Sequence, residues 1–358
     1  MHTLDYAEHT LGYGARGLPA MGTNDYADGI LLLASEPTTP TGTSSTFDAD
    51  FAILGLPLAA DVLEARDAAL AGRMRDIVTA QTALMESEAW DGTRYHRGFV
   101  DSGNPLAPDY LFLEPQVLPI LGGLVSDARR DALLDLVERQ LETPLGALTT
   151  IAYDGSHGSA TQPQIGGVWP VASAWVTEAW SRRDPMRGWE SLGRNTLFTH
   201  ATLYPDLWYG VWTGPDSYDG PAADRPGEAD VSAVTAHSDW PAMNVHAHLG
   251  PLRALLGLLG VRPTAAGLDV VPRVPTATYA VHMPRLSIDS APDRMRVRYT
   301  PLADDAITLR VAVPFGTSPI PSVTIDGVAV TPTLDAGLVV VPAAVHAGAT
   351  LDVVITRG

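Results

Sequence analysis

The chain has 358 residues, 46% of them hydrophobic, with 23 basic residues against 41 acidic ones for a formal charge of −18; every basic residue is arginine and cysteine is absent. This is the composition of a globular protein with apolar residues enough for one large core or two ordinary ones. It excludes lysine Schiff bases, P-loop lysines, thiol nucleophiles and thiolate metal sites, and its acidic field disfavours nucleic acid and anionic membrane surfaces.

The opening residues, Met1-His2-Thr3-Leu4-Asp5, have neither the charged nor the apolar region of a signal peptide, and no run reaches 18 apolar residues. A cytoplasmic protein is the expectation. From Asp61 to Glu88 apolar residues recur at helical spacing, with Leu63, Ala68, Leu70, Met74, Ile77 and Leu84 largely on one stripe, which predicts a helix. The same reading predicts helices near 114–124, 128–142, 169–182, 186–202 and 245–259, the last stopped by Gly260. Long connections rich in Gly, Pro, Asp and aromatics join them, as in segments that build a site. After Pro263 the texture changes to short β-branched runs at 268–271, 296–299, 307–311, 322–325 and 351–355, with an Asp326-Gly327 hairpin signal. The expected architecture is a helical domain over residues 1–262 and an all-β sandwich or jelly-roll over 263–358.

Chemistry-bearing residues crowd into four segments. Met21-Gly22-Thr23-Asn24-Asp25-Tyr26-Ala27-Asp28-Gly29 sets two acids around a tyrosine, an arrangement that suits a general acid beside a stacked substrate and equally an Asx-turn with a helix N-cap. Glu114, with Gln116 nearby, opens a helix, where a carboxylate favours the dipole whether or not it binds substrate. Gly166-Gly167-Val168-Trp169 allows close backbone approach, to a ligand or to a packed helix. The longest segment runs from Tyr204 through Trp208, Trp212, Asp216 and Tyr218, then resumes at His237-Ser238-Asp239-Trp240 and Asn244-Val245-His246-Ala247-His248. Indole and phenol faces beside Asp and Asn fit pyranose faces and hydroxyls, so carbohydrate is the expected ligand, with core packing of the aromatics as the alternative. His246 and His248 fall two apart on a helix and cannot chelate from one face, so neither a metal nor another cofactor is expected.

These residues resemble a known family. Met21–Gly29 is similar to the G-T-G-D-W-N-D-G loop of the inverting family 94 glycoside phosphorylases, and Trp90-Asp91-Gly92-Thr93-Arg94-Tyr95-His96-Arg97 resembles that family's W-D-G-x-W-Y-R-R segment. The resemblance implies an (α/α)6 barrel followed by a C-terminal β domain, with Asp28 as proton donor to the glycosidic oxygen and Tyr26 lining the −1 subsite. Only about twenty residues precede the loop here, against a β domain and several helices in the family, so a partial chain or a barrel completed by another chain is expected. Where the family holds phosphate with Tyr-Thr-His and Thr-Gly, this chain reads Val168-Trp169-Pro170 and Asn244-Val245. The Gly-Val-Trp-Pro and Trp-Thr-Gly-Pro-Asp-Ser-Tyr segments look more like family 36-type glycosyl hydrolase domains.

The resulting expectation is inverting cleavage of an oligosaccharide, hydrolysis favoured over phosphorolysis. Asp28 is the acid and Asp216 the first choice of base, ahead of Asp239 and Glu178. Asp25, Tyr26, Glu114, Gln116, Trp169, Trp212, Asp239, Asn244 and His246 are the expected substrate contacts. Inorganic phosphate is the co-substrate of the rival phosphorylase reading, held by His246, Asn244 and an arginine. A non-catalytic sugar-binding subunit is the other alternative, and a homo-oligomer is left open.

Overall fold

Ser45 starts the first long helix, its hydroxyl accepting from the backbone N–H of Asp48 at 3.1 Å, and α1 runs Thr46–Leu63. The computed structural model describes residues 4–5, 7–22, 30–152, 166–207, 217–223, 225–228 and 245–358. Two compact units divide the chain, Met1–Ala254 and Leu255–Gly358.

In the first unit the apolar stripe expected as one helix over Asp61–Glu88 is broken at Glu64–Asp67. The Asp67 side chain accepts from Leu70 N–H at 2.9 Å and starts α2, Ala68–Leu84, which packs back on α1. The periodicity runs through the turn because both helices bury the same kind of face, Ala60 on α1 and Ala71 and Met74 on α2. Next come α3, Glu114–Gly122, ended by Gly123 in the left-handed region, and α4, Asp127–Gln140, capped by Ser126. Then follow α5, Pro170–Arg183, and α6, Pro185–Arg194. The expected helix over 186–202 is also two, because Asn195 leaves helical geometry and Thr196 caps α7, Leu197–Leu203. The last helix, α8, is Val245–Leu258. Helices α1, α3 and α5 pack in sequence around a core of Ile53, Leu113, Val117, Leu118, Leu133, Leu134, Trp175 and Val176. Among the described residues no helix is long and apolar enough to cross a membrane.

The second unit is rich in strand. One sheet has the order Thr333–Asp335, Leu338–Val345, Asp305–Val311, Gly267–Val270, Val261–Thr264, with a single parallel pair between 267–270 and 308–311. The other has the order Tyr279–His282, Leu286–Ala291, Arg294–Tyr299, Leu351–Thr356, Ser322–Ile325, Val328–Val330. Inward residues alternate along each strand, as in Leu286, Ile288 and Ser290 or Leu351, Val353 and Ile355, and both sheets contribute to one core. Asp326 and Gly327 both have positive φ, 51° and 80°, as the predicted Asp-Gly hairpin turn requires.

Candidate functional site

The described parts of the first unit hold a belt of short strands that ties together the ends of the candidate loops. Ala20 bridges Ser44, and Met21 N–H donates to Thr43 O at 2.9 Å. Ser44 and Ser45 pair in turn with Phe99 and Gly98. Met21 and Ile30, which bracket residues 23–29, are both buried in one apolar cluster with Val100, Leu106 and Phe112. Phe112 lies two residues before Glu114 and pairs with Thr150. From there the belt continues through backbone bonds alone: Leu113 N–H to Thr149 O at 2.8 Å, Thr149 N–H to Gly167 O at 2.9 Å, and Gly220 N–H to Gly166 O at 2.9 Å. Val168 finally pairs with Tyr218. Three sequence-distant segments, ending at Gly22, Glu114 and Gly167–Trp169, are thereby joined to Tyr218, two residues after Asp216.

Of the expected site residues, Glu114, Gln116 and Trp169 fall among the described ones. Glu114 is buried in the first turn of α3, where the helix N-terminus favours its charge. Gln116 is committed within the fold: its Oε1 accepts from Tyr95 N–H at 3.0 Å, and its Nε2 donates to Tyr95 O at 2.9 Å and Phe112 O at 3.0 Å. With both amide hydrogens engaged and no exposed surface, Gln116 holds Trp90–Arg97 against α3 and has no N–H to offer a sugar. The Trp169 ring lies on the bare Cα of Gly167, where an added Cβ would come within 2.4 Å of it, so this glycine serves ring packing. Glu178, one of the two weaker choices of base, receives Arg253 Nε at 3.2 Å. Asp25, Tyr26, Asp28, Trp212, Asp216, Asp239 and Asn244 lie outside the described residues, as does the side chain of His246.

The Trp90–Arg97 segment is built as a latch. Asp91 accepts from the backbone N–H groups of Thr93 and Arg94 at 2.8 and 2.9 Å, closing the turn, and Arg94 donates to Tyr110 O at 2.9 Å. The Tyr95 hydroxyl donates to Glu86 at 2.9 Å, and Arg129 bonds Glu86 while stacking 4.4 Å over the Trp90 ring. Burial pushes the Tyr95 phenol well above its ordinary value, so it stays a neutral donor. His200, on α7, stacks 4.3 Å from Tyr218, and its Nε2–H donates to Gly227 O at 2.6 Å. Burial lowers the His200 pKa and keeps the ring neutral.

Two buried ionisable groups lie beside this belt, Arg97 at the end of the Trp90–Arg97 segment and Asp50, which sequence reasoning misses. Asp50, on the inner side of α1, is 1% exposed, and neither carboxyl oxygen has a hydrogen-bond partner among the described residues. Burial pushes its pKa well above the carboxylate range, opposed by the Arg97 charge. Arg97, also 1% exposed, donates to Ser45 Oγ at 3.2 Å and sits 5.1 Å over the Phe47 ring. The only clue in sequence is an aspartate between Ala49 and Ile53 on an otherwise apolar face. Among the described residues no group of three or more His, Asp or Glu could hold a metal ion.

Residues 1–160 match the model of the glycosyl hydrolase 94 superfamily, catalytic domain, a stretch that takes in Met21–Gly29, Trp90–Arg97, Glu114 and Gln116. No curated protein matches the chain. Solved structures similar to it include an α-L-rhamnosidase from Dictyoglumus thermophilum, with a TM-score of 0.46 at 10% identity over 89% of this chain and 32% of that one. A GH78 family rhamnosidase of Bacillus sp. GL1 has a TM-score of 0.46 at 16% identity over 84% of this chain and 27% of that one. The GH63 mannosylglycerate hydrolase from Thermus thermophilus has a TM-score of 0.38 at 14% identity over 59% and 45%. This chain spans about a third of the length of the two rhamnosidase chains. Residues 1–160, somewhat less than half of the chain, are therefore similar to the glycosyl hydrolase 94 superfamily catalytic domain.

Proposed function

We propose that the chain cleaves a glycosidic bond in an oligosaccharide with inversion, water being the favoured acceptor. The observation that carries this reading is the match of residues 1–160 to the catalytic-domain model, because it includes the acid-bearing loop. In the proposal the first unit is part of an (α/α)6 barrel, and Asp28 protonates the leaving oxygen while Tyr26 and Asp25 contact the sugar. Asp216 deprotonates water on the opposite ring face; inversion needs such a carboxyl pair about 6.5–9.5 Å apart. Glu114, Trp169, Trp212, Asp239, Asn244 and His246 are the remaining proposed contacts. The belt supports this arrangement by anchoring residues that flank the Asp28 and Asp216 loops to the start of α3. Gln116 is assigned a positioning role, since its amide fixes the Trp90–Arg97 latch.

A disaccharide panel incubated with the protein, with and without inorganic phosphate, tests the reading when fresh products are followed by NMR. Free sugar of inverted configuration is the expected product. Phosphate-dependent sugar 1-phosphate would assign phosphorolysis instead, and turnover by neither route would leave only sugar binding. Asp28→Asn should lower the rate by about 10²–10⁴, the usual worth of a general acid, with unchanged circular dichroism. Retained activity in that variant would refute the assignment of the acid.

A further inference from the structure

Helix α1 carries an apolar stripe on its outer face. Phe51, Leu58 and Val62 are 39%, 51% and 63% exposed, and Gly55 between them is exposed as well. Their spacings alternate four, three and four, the a/d seam of a two-helix pair, and no charged residue lies between Asp50 and Asp61. The opposite face is buried through Ala49, Ile53 and Ala60, where α1 packs on α2 and α3. Gly55 answers to nothing in that packing: apart from its own helix, a Cβ there would meet no described atom within 4 Å. Glycine is disfavoured inside a helix, so its place on the outer stripe calls for something that approaches closely from outside.

We propose that this stripe is the contact by which two copies of the chain pair, α1 lying antiparallel to α1 of its mate about a two-fold axis. The stripe's own symmetry identifies the occupant: Phe51 and Val62, and likewise Gly55 and Leu58, are equidistant from the midpoint between Leu56 and Pro57. A two-fold at that midpoint sets Phe51 of each copy against Val62 of the other and Leu58 into the space over the bare Cα of Gly55, so one surface supplies both knob and hole. Asp48 lies at one end of the stripe and Asp61 and Glu64 at the other. Antiparallel copies bring these like charges together, and salt that screens them strengthens the pair. Four residues of one helix cover less than the roughly 800 Å² per partner of a stable interface, so a dissociation constant of about 1–100 µM is expected. The inference does not rest on the cleavage proposed above.

Sedimentation equilibrium of the full chain over about 1–200 µM, in about 0.05 and 0.5 M sodium chloride, should show a monomer–dimer equilibrium that is stronger at the higher salt. Leu58→Glu should weaken it by tenfold or more, because it places a carboxylate in each half of a dry contact. Gly55→Leu adds apolar surface, so indiscriminate stickiness would grow, whereas a contact that seats Leu58 on Gly55 should weaken by tenfold or more. The chain has no cysteine, so introduced thiols report the register. Phe51→Cys mixed with Val62→Cys should cross-link under oxidised glutathione, while either alone, its two thiols about 16 Å apart across the axis, should not. Circular dichroism of each variant confirms folding; if Phe51→Cys does not fold, Gly55→Leu and Leu58→Glu decide. A single-chain mass at every concentration overturns the proposal, as does growth past two chains or association that salt weakens. So does association that Gly55→Leu strengthens or Leu58→Glu leaves unchanged, or cross-linking of Val62→Cys alone as efficient as in the mixture.

Discussion

Gln116→Leu is the substitution that separates a structural amide from a sugar-binding one. Leucine fills nearly the same volume but removes three hydrogen bonds, of 3.0, 2.9 and 3.0 Å, and strands the N–H of Tyr95 in a site without solvent. Each neutral bond contributes about 1 kcal/mol net, and an unsatisfied buried donor adds its own desolvation cost, so the loss comes to about 3–5 kcal/mol. Against a total stability of about 5–15 kcal/mol this is a large share. All eight tryptophans lie between Trp90 and Trp240, inside the first unit, so tryptophan emission reports that unit without a signal from the second. With an m-value of about 2–3 kcal/mol/M in urea, the midpoint should fall by about 1–2 M. A midpoint shift below about 0.5 M, with KM for a cleaved disaccharide raised tenfold, would refute the structural account and return Gln116 to the sugar.

The remaining expectations follow from other buried groups. Asp50 has a raised pKa, so its protonated form favours the fold; its stabilisation is complete below the unfolded value near 3.8 and declines by about 1.36 kcal/mol per pH unit as pH rises toward the folded pKa. Asp50→Asn should flatten that decline in urea midpoints measured from pH 4.5 to 8, and parallel curves for the two proteins would contradict it. His200 has the opposite sense: a lowered pKa means its contribution is present above about 6.5 and is lost as pH falls through the folded value, so His200→Gln should remove a stability loss that sets in as pH falls below about 6.5. Gly260 has φ +62°, and a Cβ there would lie 1.8 Å from Val271 O. Gly260→Ala should therefore cost about 3 kcal/mol, read as lost hydrogen-exchange protection in the Gly267–Val270 strand.

Much of the architecture could be read from residue order, because apolar period and turn chemistry are local. The change from helical to strand texture, the α3, α4, α5 and α8 helices and the Asp326-Gly327 turn are all of this kind. The misreadings have local causes as well. Pro57 lies inside α1 and reads as a breaker, which hid a helix that Ser45 caps well before the expected start at Asp61. Asp67 and Thr196 are caps inside continuous apolar stripes, and a stripe records which face is buried without recording where the chain turns. The strand Leu338–Val345 is hard to read from sequence because Pro342 interrupts the β-branched run, although its pairing with Thr308 stays in register.

The candidate site divides along the same line between what is local and what is not. Glu114 and Gln116 share one helical turn and look equally fit for a sugar, but one turn of helix sends them to different partners. Gln116 reaches 21 residues back to the Tyr95 backbone, a distance no periodicity encodes. The belt that anchors the flanks of the Asp28 and Asp216 loops depends still less on side chains, since Leu113–Thr149, Thr149–Gly167 and Gly220–Gly166 are main-chain bonds that many residues could make. The glycines are the exception. A Cβ at Gly220 would meet Gly166 O at 2.3 Å, and one at Gly167 would strike the Trp169 ring. The sequence signal of the belt is therefore the Gly166-Gly167 pair and Gly220, and their closeness to other backbone and rings makes them determinants of where the loops begin. Substituting Gly220 with alanine should displace the Tyr218–Asp219 strand from Gly167–Val168, and with it the chain that leads from Asp216, without altering any group proposed to touch the sugar.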